Sequence, residues 1–152
     1  MSRQMEVAKL YEKALFAGDR ATVERLFHEE IVYWVAGAPP IGGEWRGRDQ
    51  VIDALWNRKA GLGSADWGYE DVWRNWYDAD EFSGTHVIVE IRERSWLQSH
   101  PSDVMDQRTC VVITFVSDLI CEIREYSDSR IYEEFAKRHR RELPKFTQSS
   151  GV

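Results

Sequence analysis

Two charged residues in the second half of the chain, Arg92 and Glu125, could act together in catalysis. Each lies in a run of β-branched and apolar residues that is typical of a strand. If the predicted strands pair in chain order, the two residues lie two strands apart, with about 10 Å between their backbones. Cys110 lies between them, and long side chains can span that gap. In a pocket, such a pair would orient a carbonyl group or a water molecule. On a solvent-exposed face, it would be an ion pair worth under about 1 kcal/mol.

The alternation of residue types along the strand around Arg92 leaves both interpretations open. Successive side chains point to opposite faces of a sheet. One face of this strand therefore carries Glu90, Arg92 and Arg94. The other face carries Val87, Val89 and Ile91. The apolar set would normally face the core, which would leave Arg92 in solvent.

The histidines, cysteines and glycines predict neither a metal site nor a nucleotide site. His86 could act as an acid or base, although a solvent-facing histidine is common where a strand begins. His28 and His100 lie in predicted loops, and His139 lies in a basic run. No two histidines have the spacing of metal ligands. The sequence contains neither a phosphate-binding glycine loop nor a dinucleotide fingerprint. We therefore expect no cofactor.

The first half of the chain predicts helices around a single strand. Apolar residues at three- and four-residue spacing predict a first helix that ends at Gly18. Asp19 is the predicted N-cap of a second helix, whose inward residues would be Val23, Leu26 and Phe27. Residues 31–35 predict a strand, residues 36–43 a loop and residues 49–59 a helix.

The second half changes to the period of strands. Residues 69–77, 85–97, 106–116 and 119–127 predict four strands with short joins, hence an antiparallel meander. A closing helix is expected over residues 129–142. Helices followed by strands favour an α+β layer fold.

A two-residue turn at 117–118 would join the last two strands as a hairpin. This register places Ile113 opposite Glu122. It also separates Cys110 from Cys121 by more than a disulfide allows. We therefore expect two buried free thiols, as is usual in the cytoplasm.

The length of 152 residues and the formal net charge of −6 indicate one acidic globular domain. We expect this domain to span residues 1–145 and a flexible tail to span 146–152. The acidic charge argues against a general nucleic-acid binder. The basic run 137–141 could contact nucleic acid or a membrane, or could be a solvated helix end. The sequence has no apolar stretch long enough to span a membrane and no signal-peptide core, so a cytoplasmic location is expected.

Three segments carry a resemblance to a known superfamily. They are residues 11–19 continuing into 26–32, residues 45–52 with a "G-R-x-x-I" type of helix start, and residues 123–128, which are similar to an "R-E-Y-F-D" strand end. Together they resemble the SnoaL-like and ketosteroid-isomerase-like branch of the NTF2-like superfamily, from about Glu6 to Asp128. The resemblance implies a cone-shaped α+β fold, in which N-terminal helices pack on a curved antiparallel sheet that encloses a pocket.

Two chemistries of that superfamily match this chain only in part. The isomerases use a first-helix tyrosine, which corresponds to Tyr11. Their catalytic base position corresponds to Val35, and their buried acid falls within residues 112–113, which are apolar. The limonene-epoxide-hydrolase-like members use an Asp-Arg-Asp group and a water-positioning tyrosine. Arg92, Glu125 and Tyr33 match three of these positions, but Arg94 stands where an aspartate is expected.

The resemblance and the seven tryptophans lead to the functional prediction. Aromatic walls suit a flat lipophilic ligand, and the outer sheet face of the superfamily commonly forms a homodimer. We expect a cofactor-free acid–base enzyme, a hydrolase, dehydratase, cyclase or isomerase, acting on a lipophilic small molecule without nucleic-acid or membrane partners. The alternatives are a non-catalytic ligand-binding protein and a dimerisation module. The predicted catalytic residues are Arg92, Glu125, Tyr33 and Tyr11. The predicted ligand contacts are Trp34, Val35, Trp56, Trp67, Trp73 and Ile113.

Overall fold

The computed structural model describes residues 1–39, 41–62, 67–78 and 85–139. Helix α1 spans Arg3–Ala17, begins at the N-cap Ser2 and ends at Gly18, which has a φ of 75°. Glycine adopts this left-handed conformation without a steric penalty. Helix α2 spans Arg20–Leu26, and its N-cap Asp19 accepts a hydrogen bond from the Thr22 backbone N–H. The predicted caps Gly18 and Asp19 are thus confirmed.

Six strands and two further helices follow. In chain order they are β1 Phe27–Val35, β2 Gly43–Arg46, α3 Arg48–Leu62, β3 Trp67–Asp78, β4 His86–Leu97, β5 Met105–Val116, β6 Leu119–Ser127 and α4 Ser129–Arg138. The four predicted strands of the second half are confirmed. Two details differ from the prediction. Phe27 begins a strand instead of closing the second helix, and β2 was not predicted because only four residues form it.

The six strands form one curved, unclosed sheet in the order β2-β1-β6-β5-β4-β3. Strands β3 to β6 form the predicted antiparallel meander. The predicted α+β fold with a curved sheet is confirmed, but β1 pairs with β6 in parallel, so the sheet is mixed where an antiparallel one was expected. The long crossover from β1 through α3 and the meander brings β6 back beside β1, which permits the parallel pairing.

The hairpin between β5 and β6 contains a bulge that shifts its register. Val116 pairs with Leu119 across the predicted turn at 117–118, where Ser117 has a φ of 56°. A register shift follows, and Ile113 pairs with Ile123 instead of the predicted Glu122. The extra residue of a bulge moves every later pair by one position. Both cysteines are free thiols, but they are half-buried where we expected full burial.

The helices cover the concave side of the sheet, where the apolar core lies in two clusters. The larger cluster joins α1, α2 and α3 to β1, β5 and β6 and includes the fully buried Phe27, Ile31 and Ile123. The smaller cluster joins Leu97, Met105 and Phe135, and so docks α4. Each fully buried aliphatic side chain contributes about 1.5–3 kcal/mol. Along β4, Val87 belongs to the larger cluster and Leu97 to the smaller one. The concave-facing residues of β4 between these two positions belong to neither cluster.

The C-terminal end of α4 is held by charges. Asp103 accepts hydrogen bonds from Arg138 Nε and Nη2 at 2.9 and 3.0 Å, and its Oδ2 lies 2.7 Å from His139 Nε2. These hydrogen bonds, from Arg138 first and then His139, lower the pKa of Asp103 to about 2. The part of the basic run that is described therefore makes contacts within the fold. The predicted tail and residues 140–142 of the closing helix lie outside the described residues. None of the described helices has the length and hydropathy required to cross a bilayer.

Candidate active site

A β-bulge in β3 places two residues of opposite charge on the concave face. Asp71 pairs with Glu93 of β4, and Trp73 pairs with the adjacent Arg92, so Val72 is the extra residue. Residues three apart in a regular strand point to opposite faces, but a bulge cancels that alternation. Asp71 and Arg74 consequently share the concave side, where Arg74 pairs with Ile91.

Arg74 is the centre of an ionic network between β3 and α1. Its Nε and Nη2 donate to the Asp71 carboxylate at 3.0 and 3.2 Å, and its Nη1 donates to Glu12 of α1. The Arg74 and Glu12 side chains are only 15% and 20% exposed. Burial acts to lower the pKa of Arg74, but the hydrogen bond to Asp71 and the charge of Glu12 outweigh burial and raise it. Arg74 is therefore permanently charged and fully engaged.

Tyr69 connects this network to Glu93. The Tyr69 hydroxyl lies 2.5 Å from Asp71 Oδ1 and 3.1 Å from Glu93 Oε2, and Arg74 Nη2 donates to it at 3.4 Å. A phenol has one proton, and the shorter contact identifies Asp71 as its acceptor. The contact with Glu93 is then a hydrogen bond when Glu93 is protonated and donates. Burial raises the pKa of Glu93, and the charges of Asp71 and Glu125 add to the rise.

Glu125 supplies a second carboxyl group to the concave face. It lies in β6 opposite Val35 of β1, and its Oε1 accepts a hydrogen bond from the Tyr33 hydroxyl at 2.9 Å. Tyr33 is only 1% exposed, so this donor is rigidly placed. Strand register places both carboxyl groups on the face that carries Val87 and Ile113. Burial raises the pKa of Glu93, and Glu125 is oriented by a buried phenol.

Tyr11 adds a buried hydroxyl beside these carboxyl groups. Its side chain is 5% exposed and packs on Phe27, with 5.4 Å between the ring centroids. Burial raises its pKa well above the usual value, and the charges of Glu125 and Glu12 raise it further. The hydroxyl therefore stays protonated. Within the described residues it makes no hydrogen bond, which leaves it free to donate to a ligand.

The structure separates Arg92 from Glu125. Arg92 lies on the convex face, since it pairs with Trp73 and Arg108 while Glu93 faces the helices. Its guanidinium binds Asp106 through Nε and Nη2 at 2.9 and 2.8 Å. The expected Arg92–Glu125 pair is not formed, because strand parity places the two side chains on opposite faces. Arg92 instead makes the solvent-exposed ion pair of the alternative interpretation.

The predicted ligand contacts are also divided between the faces. Val35 and Ile113 are buried in the concave core. Trp56 packs against that core from α3, and Trp67 stacks at 5.7 Å on Phe135 in the smaller cluster. Trp34 and Trp73 lie apart from these four residues. Trp34 lies on the convex face against Tyr126, at 5.1 Å between centroids, and Trp73 shares that face with Arg92.

A surface depression of about 460 Å³ lies elsewhere, at the start of α3. Its lining residues are Glu29, Arg46, Gly47, Arg48, Asp49 and Gln50. The two arginines there pair with Glu44 and Glu29. The depression contains none of the residues that surround Glu93, so the concave face remains the candidate site. The described residues contain no group of histidine, cysteine and carboxylate side chains that could hold a metal ion.

Sequence reasoning missed Glu93, Tyr69, Asp71, Arg74 and Glu12. For Glu93 a signal was present, because it continues the alternation of Val87, Val89 and Ile91 and so places a carboxyl group on the apolar face. For Asp71 and Arg74 no such signal existed. Their odd spacing predicts opposite faces, and the bulge that reverses this expectation has no marker in the sequence.

Comparisons with known proteins agree with this fold. The chain is similar to an NTF2-like protein from Burkholderia xenovorans LB400, with 19% identity over 87% of this chain and 94% of that chain and a TM-score of 0.69. It is similar to an LEH-like epoxide hydrolase of M. tuberculosis, with 19% identity over 90% of each chain and a TM-score of 0.60. It is also similar to TerC co-crystallised with polyporic acid, with 13% identity over 90% of this chain and 99% of that chain and a TM-score of 0.68.

Curated proteins provide no match. The family model described as the SnoaL-like domain matches residues 7–123, which is most of the chain. The first two segments that suggested this family from the sequence lie within that range, and the third begins at its last residue. The chain therefore belongs to the SnoaL-like domain family.

Proposed function

We propose that the protein is an enzyme that moves protons on an uncharged, lipophilic small molecule bound at the concave face. The observation that carries this proposal is the pair Glu93 and Glu125, two carboxyl groups in one space with different surroundings. Such a difference separates an acid from a base. Glu125, oriented by Tyr33, would take a proton from water or from the substrate. Glu93 would give its proton to the leaving or ring oxygen.

Tyr11 fits a third role in the same proposal. A protonated hydroxyl in a buried site can stabilise negative charge that develops on a substrate oxygen, because it needs no solvent reorganisation. The three groups serve hydrolysis, dehydration or isomerisation equally well. In each of these reactions an acid and a base move protons while bonds to carbon form or break, and no oxidation or reduction takes place.

The charge on the concave face favours an uncharged substrate. Arg74 is the only lysine or arginine side chain that the described strands place on this face. Its guanidinium is already held by Asp71 and Glu12. A carboxylate or phosphate group would meet the proposed base Glu125 without a free cation on this face, and like charges repel. The apolar residues Val89 and Ile91 beside these groups suit a lipophilic body.

A titration and turnover experiment tests the proposal. Tryptophan fluorescence is followed while terpenoid epoxides, steroids and polyketide-like aromatics are added to wild type, Glu125→Gln and Arg92→Ala, and products are identified by mass spectrometry. We expect saturable quenching, with conversion by wild type and Arg92→Ala that Glu125→Gln loses. Binding without conversion by any variant would favour the non-catalytic ligand-binding alternative. Conversion that survives in Glu125→Gln would overturn the assignment of the base.

We also propose that the protein forms a homodimer through the convex face. Trp34 and Tyr126 make an aromatic patch there, and Tyr126 is 43% exposed. The neighbouring Arg124 Nε is buried without a hydrogen-bond partner among the described residues. Aromatic residues and arginine are enriched at interfaces. Sedimentation equilibrium is expected to give a dimer for wild type and for Val116→Lys at the exposed hairpin tip, but a monomer for Tyr126→Lys. A monomeric wild type at micromolar concentrations would refute this proposal.

A further inference from the structure

The Tyr69 hydroxyl contacts both Asp71 and Glu93, so the direction of its hydrogen bonds affects how firmly Glu93 holds its proton. Tyr69 is 48% exposed, so its hydroxyl is not confined by packing. A free phenol would donate to an ionised Glu93 and so favour loss of the Glu93 proton. The hydroxyl instead lies closer to Asp71 than to Glu93, by 2.5 against 3.1 Å.

Asp71 can accept the hydrogen bond of the Tyr69 hydroxyl because Arg74 fixes the position of the Asp71 carboxylate. Two hydrogen bonds from Arg74 orient the Asp71 carboxylate, and Glu12 of α1 holds the other end of the guanidinium. Burial acts to raise the pKa of Asp71, but the hydrogen bonds from Arg74 and Tyr69 outweigh burial and lower it. Asp71 is thus a persistent anion and a strong acceptor. The bulge at Val72 is what places both residues on the side of Glu93.

We propose that Asp71 and Arg74 are a positioning pair that accepts the hydrogen bond of the Tyr69 hydroxyl, so that Glu93 keeps its own proton and donates a hydrogen bond to the Tyr69 oxygen until substrate arrives. The pair touches neither substrate nor the reacting atoms. It acts on the acid through one phenol, and α1 sets its position through Glu12. This inference rests on the proposed role of Glu93 as the acid.

The charged groups around Glu93 define the direction of each expected change. From β3 it faces Tyr69, Asp71 and Arg74, and from β6 it faces Glu125. On α1, Glu12 reaches this group through Arg74. Asp71 and Glu125 favour the protonated form of Glu93 by their negative charge, whereas the positive charge of Arg74 favours the ionised form. A hydrogen bond donated by Tyr69 would also favour the ionised form, but in this arrangement Tyr69 donates to Asp71. Removing Asp71 and removing Arg74 must therefore shift the Glu93 titration in opposite directions.

The test is a carbon-13 NMR titration of glutamate carboxyl groups, with the Glu93 signal assigned by its loss in Glu93→Gln. We expect Asp71→Asn to lower the Glu93 midpoint, because the anion is removed and the Tyr69 hydroxyl becomes free to donate to Glu93. We expect Tyr69→Phe to lower it as well, because protonated Glu93 loses the hydroxyl to which it donates. Arg74→Met should raise it, because a positive charge is removed. The matched controls are Asp106→Asn and Arg92→Met, which break the equivalent ion pair on the convex face and should leave the midpoint unchanged.

Each outcome decides the proposal. Lower midpoints in both Asp71→Asn and Tyr69→Phe, with no shift in the controls, support it. A higher midpoint in Tyr69→Phe would show that Tyr69 donates to Glu93, and it would overturn the proposal. An unchanged Glu93 midpoint in Asp71→Asn, or a shift in the same direction as Arg74→Met, overturns it. If Arg74→Met does not fold, the isosteric Asp71→Asn and the mild Tyr69→Phe decide alone. The titration needs no substrate, so its failure is distinct from a failure of the proposed enzymatic function.

Discussion

Replacing Glu93 by glutamine is expected to lower kcat/KM by about 10²- to 10⁴-fold on any substrate that the wild-type protein converts. Glutamine keeps the size of the side chain but has no proton to give. Because burial raises the pKa of Glu93, wild type holds the proton further towards neutral pH than an ordinary glutamate does. Wild-type turnover should fall as pH rises through the Glu93 pKa, and the residual activity of Glu93→Gln should lack that limb.

The control for this prediction lies on the same strand. Glu90 is on the convex face, where Tyr77 donates a hydrogen bond to it at 2.9 Å, so Glu90→Gln should retain wild-type kcat/KM. Equal losses in both variants would remove Glu93 from the mechanism. Stability supplies a second readout. A raised folded pKa means that ionisation opposes folding above the unfolded value of about 4.3. Thermal denaturation should therefore show Glu93→Gln more stable than wild type at neutral pH, with the difference lost in acid.

The variant Phe135→Ala should lower the free energy of unfolding by about 3–5 kcal/mol, more than any other substitution named here. Phe135 is fully buried and joins α4 to Leu97 and Met105, with Trp67 stacked on it. The substitution leaves a cavity in the smaller cluster. Because this cluster has few other side chains, they cannot move far enough to fill the cavity. Urea denaturation followed by circular dichroism measures the loss, and hydrogen exchange shows whether α4 is the region affected.

A matched substitution separates burial from size. Leu10→Ala removes an apolar side chain of α1 that is 47% exposed, and it should change the free energy of unfolding by less than about 0.5 kcal/mol. A Phe135→Ala loss as small as that of Leu10→Ala would mean that α4 is not docked in solution.

The fold was predictable because its signals are local. Gly18 and Asp19 cap their helices through contacts with residues a few positions away. The apolar runs of β4 to β6 likewise predict strands from their own residue types alone. The parallel pairing of β1 with β6 was not predictable in this way, since it depends on where a distant strand returns. The predicted register of the last hairpin was wrong by one position, because a bulge depends on how the two strands pair in the folded protein.

The candidate site was predictable only where its residues lie on regular strands. Glu125 and Tyr33 were identified, and the structure places them in hydrogen-bond contact. Their catalytic roles stay predictions. For Arg92 the sequence left two interpretations open, and the register of β4 supports the solvent-exposed one. The alternation along that strand correctly placed Val87, Val89 and Ile91 inside. Physical periodicity was the better guide than positional correspondence.

The bulge at Val72 has a consequence for how related chains are aligned. A relative that lacks this one residue would pair β3 with β4 regularly and still present the counterparts of Asp71 and Arg74 on the same side. Spacings of two and of three residues are therefore structurally equivalent at this point. An alignment that forbids gaps inside strands would match Arg74 to an outward-facing residue in such a relative. The ionic network would then look absent from chains that contain it.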